Sequence, residues 1–311
     1  MAVKEETVRQ PSIPIPMSQA TAGLLVIDKP EGVTSRAVVN QVQQWFPPEV
    51  KIGHTGTLDP LATGLLVVCV GRATRLADYV QQMEKTYQAR FRLGAVSDTD
   101  DAQGVITPHE ETPQPTREQV LKVLQEFVGD LWQRPPAFSA LKVQGQRAYE
   151  LARQGAAPVL PPRLVHIRAI RLLDYHWPYV DVEVDCSRGT YIRALARDVG
   201  EKLGCGGYVE ALRRLRVGDL TLAQATPLQQ YREPPPLLPM KLAVSHLPAL
   251  TLAPAEARRF CHGQSISWRG DRMASPSGNS GDQEWAVLDQ HGNLLGVGKR
   301  VGESLRPCVV L

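Results

Sequence analysis

From Lys85 to Ala95 apolar and polar positions alternate, with Tyr87, Ala89, Phe91 and Leu93 on one side and Thr86, Gln88, Arg90 and Arg92 on the other. A period of two predicts a half-buried strand in an antiparallel sheet. Tyr179 to Cys186 repeats the pattern, with valines at 180, 182 and 184. Two apolar runs, GLLVID from Gly23 and LLVVCVG from Leu65, predict further strands, the second of them buried. Three segments carry helical spacing instead. Val38, Val39, Val42 and Trp45 or Phe46 follow a cap at Thr34 or Ser35. Val120, Val123, Leu124 and Phe127 lie between a Thr116 to Gln119 capping box and Gly129. Ile192, Leu195, Ala196, Val199 and Leu203 share a face that ends at Gly204.

This irregular mixture predicts an α+β fold built on a mainly antiparallel sheet with flanking helices, not a βαβ array. The proline cluster REPPPLLP at 232–239 marks a boundary. Beyond it, short strand patterns surround the His291-Gly292-Asn293 turn, and MASPSGNSGDQ reads as a polar loop. The expected division is a flexible leader at 1–21, a main domain at 22–245 and a small all-β unit at 246–311. No internal repeat is present.

Composition narrows the classes. With 311 residues, 43% hydrophobic and 22% charged, the chain can bury a large core and is neither disordered nor fibrous. A net charge of +3 permits a nucleic-acid partner without requiring one. The five cysteines are widely spaced and form no C-x-x-C pair, which argues against disulfide and zinc frameworks. There is no signal-peptide pattern and no apolar run long enough to span a membrane, so the expected compartment is the cytoplasm.

The segment GHTGTLDPLATG, residues 53 to 64, packs three glycines, a proline, His54 and Asp59 ahead of an apolar strand. It lacks the Gly-Lys-Ser/Thr of a phosphate-binding loop, and the chain has no G-x-G-x-x-G, G-x-S-x-G or H-E-x-x-H pattern. SDTDDAQG hints at a calcium loop, but Ala102 and Gln103 occupy positions that need a ligand and a glycine. Taken alone, Asp59-Pro60 reads first as a turn initiator, with His54 as a surface loop residue, and only second as a carboxylate and an imidazole presented by a stiff loop. A second cluster gathers Arg188, Arg193, Arg197, Lys202, Arg213, Arg214 and Arg216 around Tyr191, against Asp198, Glu201 and Glu210. It suits phosphate contacts with a stacking face, or simply solvated charges on a helix and its neighbouring loop.

Taken together, GLLVIDKPEGVTS, GHTGTLDPLATGLLVVCVG, KTYQARFRLGAVSDTDDAQG, PPAFSALKVQGQRAYELARQG and CSRGTYIRALARDVGEKLGCGGYVEALRRLRVG closely resemble the TruB family of bacterial tRNA pseudouridine synthases. The likeness runs from about Gly23 to Gly218. It implies the pseudouridine synthase fold with a C-terminal PUA-like β domain, and isomerisation of the uridine at position 55 in the TΨC loop of tRNA. Asp59 would be catalytic and His54 would contact RNA around the extruded nucleotide. Tyr87 would stack on the target base, Tyr191 and Arg193 would occupy the G-T-Y-I-R positions with Arg193 pairing to the carboxylate and keeping it ionised, and Leu212 would line the uridine pocket. Lys29 matches a lysine near that pocket. The reaction breaks the N1 to C1′ bond and joins C5 to C1′, so the resemblance implies no cofactor and no metal, with the carboxylate acting as nucleophile or as base. It further implies a monomer with tRNA as partner. Two rivals remain at this point, a guide-RNA-directed relative and a non-catalytic tRNA chaperone.

Overall fold

The computed structural model describes residues 22–109, 112–139, 141–143, 145–155, 160–228, 234–268 and 283–311. The expected leader at 1–21 and nearly all of the polar loop at 273–283 lie outside them. A ten-stranded sheet organises the larger part of the chain. Its strands are β1 (Gly23–Lys29), β2 (Ile52–His54), β3 (Thr63–Val70), β4 (Lys85–Leu93), β5 (Gly129–Gln133), β6 (Arg163–His176), β7 (Tyr179–Cys186), β8 (Gly207–Val217), β9 (Leu220–Thr221) and β10 (Thr226–Pro227). The main path runs β10-β1-β3-β8-β4-β7-β6-β5, with β2 on β3 and β9 on β8. β8 runs parallel to β3 and β10 parallel to β1, whereas the other pairings are antiparallel.

The two kinds of apolar pattern have one cause. In β4, Tyr87, Ala89, Phe91 and Leu93 enter the core while Gln88 and Arg90 face solvent. In β1 and β3 both faces are covered, so the apolar run is continuous. Leu25, Ile27, Leu66 and Val68 pack with Val38 and Val42 of helix α1 (Ser35–Gln43). Leu24, Val26, Leu65 and Val67 pack on the other side with Val80 of helix α2 (Ala77–Gln82). Each such aliphatic side chain contributes about 1.5–3 kcal/mol on burial.

Helices α3 (Arg117–Glu126) and α4 (Ile192–Lys202) close the first face. The Thr116–Gln119 capping box forms as expected, with both reciprocal bonds. A Cβ at Gly200 would stand 2.3 Å from the backbone of Gly206 and of Gly207. The missing side chain is what lets the last turns of α4 lie on the start of β8.

LRRLRVG belongs to β8, a central strand; the reading of solvated charges on a helix and its neighbouring loop is therefore corrected. A second, five-stranded sheet follows: β11 (Ala249–Thr251), β12 (Ile266–Ser267), β13 (Glu284–Leu288), β14 (Leu294–Val301) and β15 (Ser304–Val310), in the order β11-β13-β14-β15-β12. The described residues also place helix α5 (Pro254–Cys261) on this sheet, through Phe260. Ala286, Leu294 and Val297 of the second sheet pack into the cluster formed by Leu24, Val26 and Leu65, so the two sheets share a core.

Candidate active site

The loop from Thr55 to Ala62 crosses from β2 to β3 and is pinned along its length. Ser35 Oγ, almost fully buried, accepts from Leu58 N at 2.9 Å and donates to Leu58 O at 3.0 Å. Lys29 Nζ donates to the carbonyls of Pro30, Val33 and Pro60 at 3.0, 2.6 and 3.3 Å. Arg214 Nη2 donates to Gly56 O at 3.1 Å, and its Nε to Leu65 O at 2.7 Å. Gly64 sits at φ +95° opposite Arg214, where a Cβ would come within 2.3 Å of the Arg214 carbonyl. Glycine is therefore required for β3 to approach β8. Asp59 lies between the Leu58 and Pro60 anchors.

Arg193, in the first turn of α4, reaches this loop. Its Nε stands 3.0 Å from Asp59 Oδ2, and Nη1 stands 3.3 Å from Asp101 Oδ2. Nη1 and Nη2 also donate to the carbonyls of Thr99 and Phe138, both at 2.9 Å. One guanidinium thus ties three chain segments together through its planar fork. Arg197, one turn further, pairs with Asp100 at 2.7 Å. Asp100 and Asp101 of SDTDDAQG, considered above as part of a failed calcium loop, are the counter-charges that fix α4.

Two clefts, of about 850 and 740 Å³, meet at Asp59 and Arg193. Tyr87, Tyr191 and Leu212 line the larger, and His54 lines the smaller. Lys29 lines neither and is fully buried behind the loop. Its place is structural support through carbonyls. Gln133, also fully buried, clamps the Tyr191 backbone from both sides, donating to its carbonyl at 3.0 Å and accepting from its N–H at 2.8 Å. Sequence reasoning missed Ser35, Asp101, Gln133 and the bracing role of Arg214. Ser35 and Asp101 stood inside the quoted motifs, but nothing local signalled their partners.

The electrostatics follow from burial. Asp59 opens to the cleft with 35% of its side chain, yet protein surrounds the carboxyl closely. Burial pushes its pKa up; Arg193 opposes this, Asp101 adds to it and Lys29 opposes it. Arg193 acts in the expected direction, favouring the ionised acid, and offsets part of the effect of burial. Burial lowers Lys29 to about 8 and raises Asp100 to about 6. The Tyr87 and Tyr191 phenols are likewise pushed up by burial, so both stay neutral hydroxyls at pH 7. His54 is pushed down by burial and by Arg36 and Arg214, and its Nδ1 is buried without a hydrogen-bond partner among the described residues.

The sequence profile of the TruB family pseudouridylate synthase N-terminal domain matches residues 44–192. The tRNA pseudouridylate synthase B C-terminal domain matches 193–233, and the C-terminal domain of pseudouridine synthase II TruB matches 248–311. The tRNA pseudouridine synthase B of Dechloromonas aromatica is 42% identical over 283 residues, covering 89% of this chain and 91% of that protein. That of Haemophilus influenzae strain PittEE is 40% identical over 299 residues, covering 92% and 94%. The chain belongs to the TruB family. A Cbf5-Nop10-Gar1 complex contains a chain with the same fold, at TM-score 0.73 and 24% identity over 96% of this chain and 87% of that one.

Within this TruB chain the arginine cluster is not the open phosphate-binding patch that charge counting allowed. Arg213 forms a bidentate pair with Asp28, at 3.0 and 2.7 Å. Arg214 is 2% exposed, and Arg216 bonds Thr86 Oγ1 at 2.9 Å. Lys202 pairs with Glu126. These cations brace strands and a helix. Of the seven, Arg188 alone is both exposed and on the rim of the larger cleft, which Arg163 of β6 also lines.

Proposed function

We propose that this TruB chain converts the uridine at position 55 in the TΨC loop of tRNA to pseudouridine, with the Asp59 carboxylate as the reacting group. The observation that carries this reading is the Asp59 to Arg193 pair at the floor of a cleft walled by Tyr87, Tyr191 and Leu212. About 850 Å³ is ample for one extruded nucleoside and part of its backbone. Tyr87 can hold uracil by stacking while its bond to C1′ is broken and re-formed at C5, which keeps the detached base from escaping. Stacking of this kind contributes about 1–3 kcal/mol per base, comparable to the few kcal/mol that flipping costs.

Both available roles for Asp59, addition to the nucleoside and removal of a sugar proton, need the ionised carboxylate. Arg193 supplies the opposing charge and orients the attacking oxygen. Lys29 and Ser35 act as positioning residues, because they hold the backbone on either side of Asp59. The family relatives named tRNA pseudouridine synthase B support the choice of tRNA.

The test incubates unmodified tRNA transcript with the protein and with Asp59→Asn, and counts pseudouridine. Wild type should form one pseudouridine per tRNA. The variant should be slower by at least about 10⁴-fold, the scale on which loss of a reacting group is felt. An equally active variant would overturn the assignment.

A further inference from the structure

Trp132 of β5 is 71% exposed, and Leu164 of β6 is 57% exposed. They stand directly opposite each other in the antiparallel register, so their side chains share one face. The neighbouring pair on that face, Asp130 and His166, is closed by a 2.7 Å contact, and Arg168 beyond it pairs with Glu84. Residues of the opposite face are inward: Gln133 clamps Tyr191, and Val165 and Ile167 are buried. Two large apolar side chains therefore lie open together at the edge of the sheet.

Their surroundings point to one partner. Leu164 lines the larger cleft beside Arg163 and Arg188. The chain between β5 and β6 supplies Phe138 and Ser139 to the catalytic floor, so Trp132 and Leu164 flank the two feet of that excursion. We propose that Trp132, backed by Leu164, is a stacking platform for an unpaired base of the RNA substrate, outside the pocket that receives the target uridine. An indole presents a flat π-face that any base can cover, and the rim arginines place cations where the adjoining phosphates would lie. A protein strand added to the sheet edge would engage the β5 backbone and would have no use for the cations. The inference rests on the tRNA reading given above.

Trp132→Ala and Trp132→Phe are compared with wild type on unmodified tRNA transcript. The alanine variant should bind roughly five- to tenfold more weakly, with a matching rise in KM, an unchanged kcat and an unchanged melting temperature. The phenylalanine variant should recover most of the affinity. Tryptophan fluorescence should be quenched when tRNA binds wild type and lose part of that quench in the alanine variant, because Trp45, Trp177, Trp268 and Trp285 remain. Equal affinity and equal quenching in all three proteins would overturn the platform, and would be the outcome if this face served a protein partner. Wild type that forms no pseudouridine would instead overturn the functional reading, so the two failures are distinguishable.

Discussion

Arg188 and Arg193 leave the same junction between β7 and α4, five positions apart, and meet opposite surroundings. Arg193 is 5% exposed and engages two carboxylates and two carbonyls. Arg188 is exposed on the rim of the larger cleft. Both count equally in any tally of charge. What separates them is the set of acids carried to one of them by distant loops, Asp59 between β2 and β3 and Asp101 after β4. A buried guanidinium must find acceptors for its N–H groups, and for Arg193 these are the two acids and two carbonyls that distant loops bring to it, so its job is fixed by them.

The inner half of this contrast is broken most severely at Arg193. Arg193→Met leaves Asp59 and Asp101 facing each other without their shared cation, and should cost about 3–5 kcal/mol of stability, read by denaturant unfolding. In the fraction that folds, the acid limb of the pH profile should move. Burial already pushes the Asp59 carboxyl above its ordinary value, and the reacting form is the ionised one, so kcat/KM should rise as pH rises through that raised pKa. Removing the one neighbour that most opposes the shift should carry the limb to still higher pH. Arg193→Lys keeps the charge and loses the fork, and kcat should fall about 10²-fold through misplacement of the carboxylate. A limb that stays in place in Arg193→Met would show that Arg193 orients Asp59 without influencing its charge.

Arg214 sharpens the comparison from another side, because it is buried without a carboxylate partner. Its Nε and Nη2 serve the carbonyls of Leu65 and Gly56, which hold the Asp59 loop against β3. Arg214→Met should cost roughly 1–3 kcal/mol for each carbonyl left unsatisfied. The salt dependence of tRNA binding should not change, since this cation does not reach solvent. A reduced salt slope would return Arg214 to the group of phosphate-contacting residues.

The contrast also shows why some features were legible in the sequence and others were not. The alternation of β4 and β7, the capping box at Thr116 and the apolar face of α4 depend on residues a few positions apart, and the sequence carries them locally. Asp59 and Arg193 could be named together only because whole motifs matched a known family. Ser35 lies 23 positions from Leu58, and Gln133 lies 58 from Tyr191. No period or spacing connects such partners; the sheet brings them together. Charge counting failed at β8 for the same reason, since the acids that neutralise Arg213 and Arg216 sit on β1 and β7.

The smallest effect belongs to the outer half. Arg188 makes its contribution only when RNA arrives, so Arg188→Ala should leave folding and kcat intact. It should weaken tRNA binding a few-fold and uniformly across tRNA sequences, because phosphate contacts fix position without reading bases. The diagnostic quantity is the slope of log affinity against log salt. It should become shallower by about one unit, the signature of one fewer displaced counterion, whereas Trp132→Ala should lower affinity with the slope unchanged. Equal slopes for wild type and Arg188→Ala would mean that RNA does not pass over this rim. The path of the backbone would then have to be sought on the other side of Asp59, along the smaller cleft where Arg36 and His54 stand.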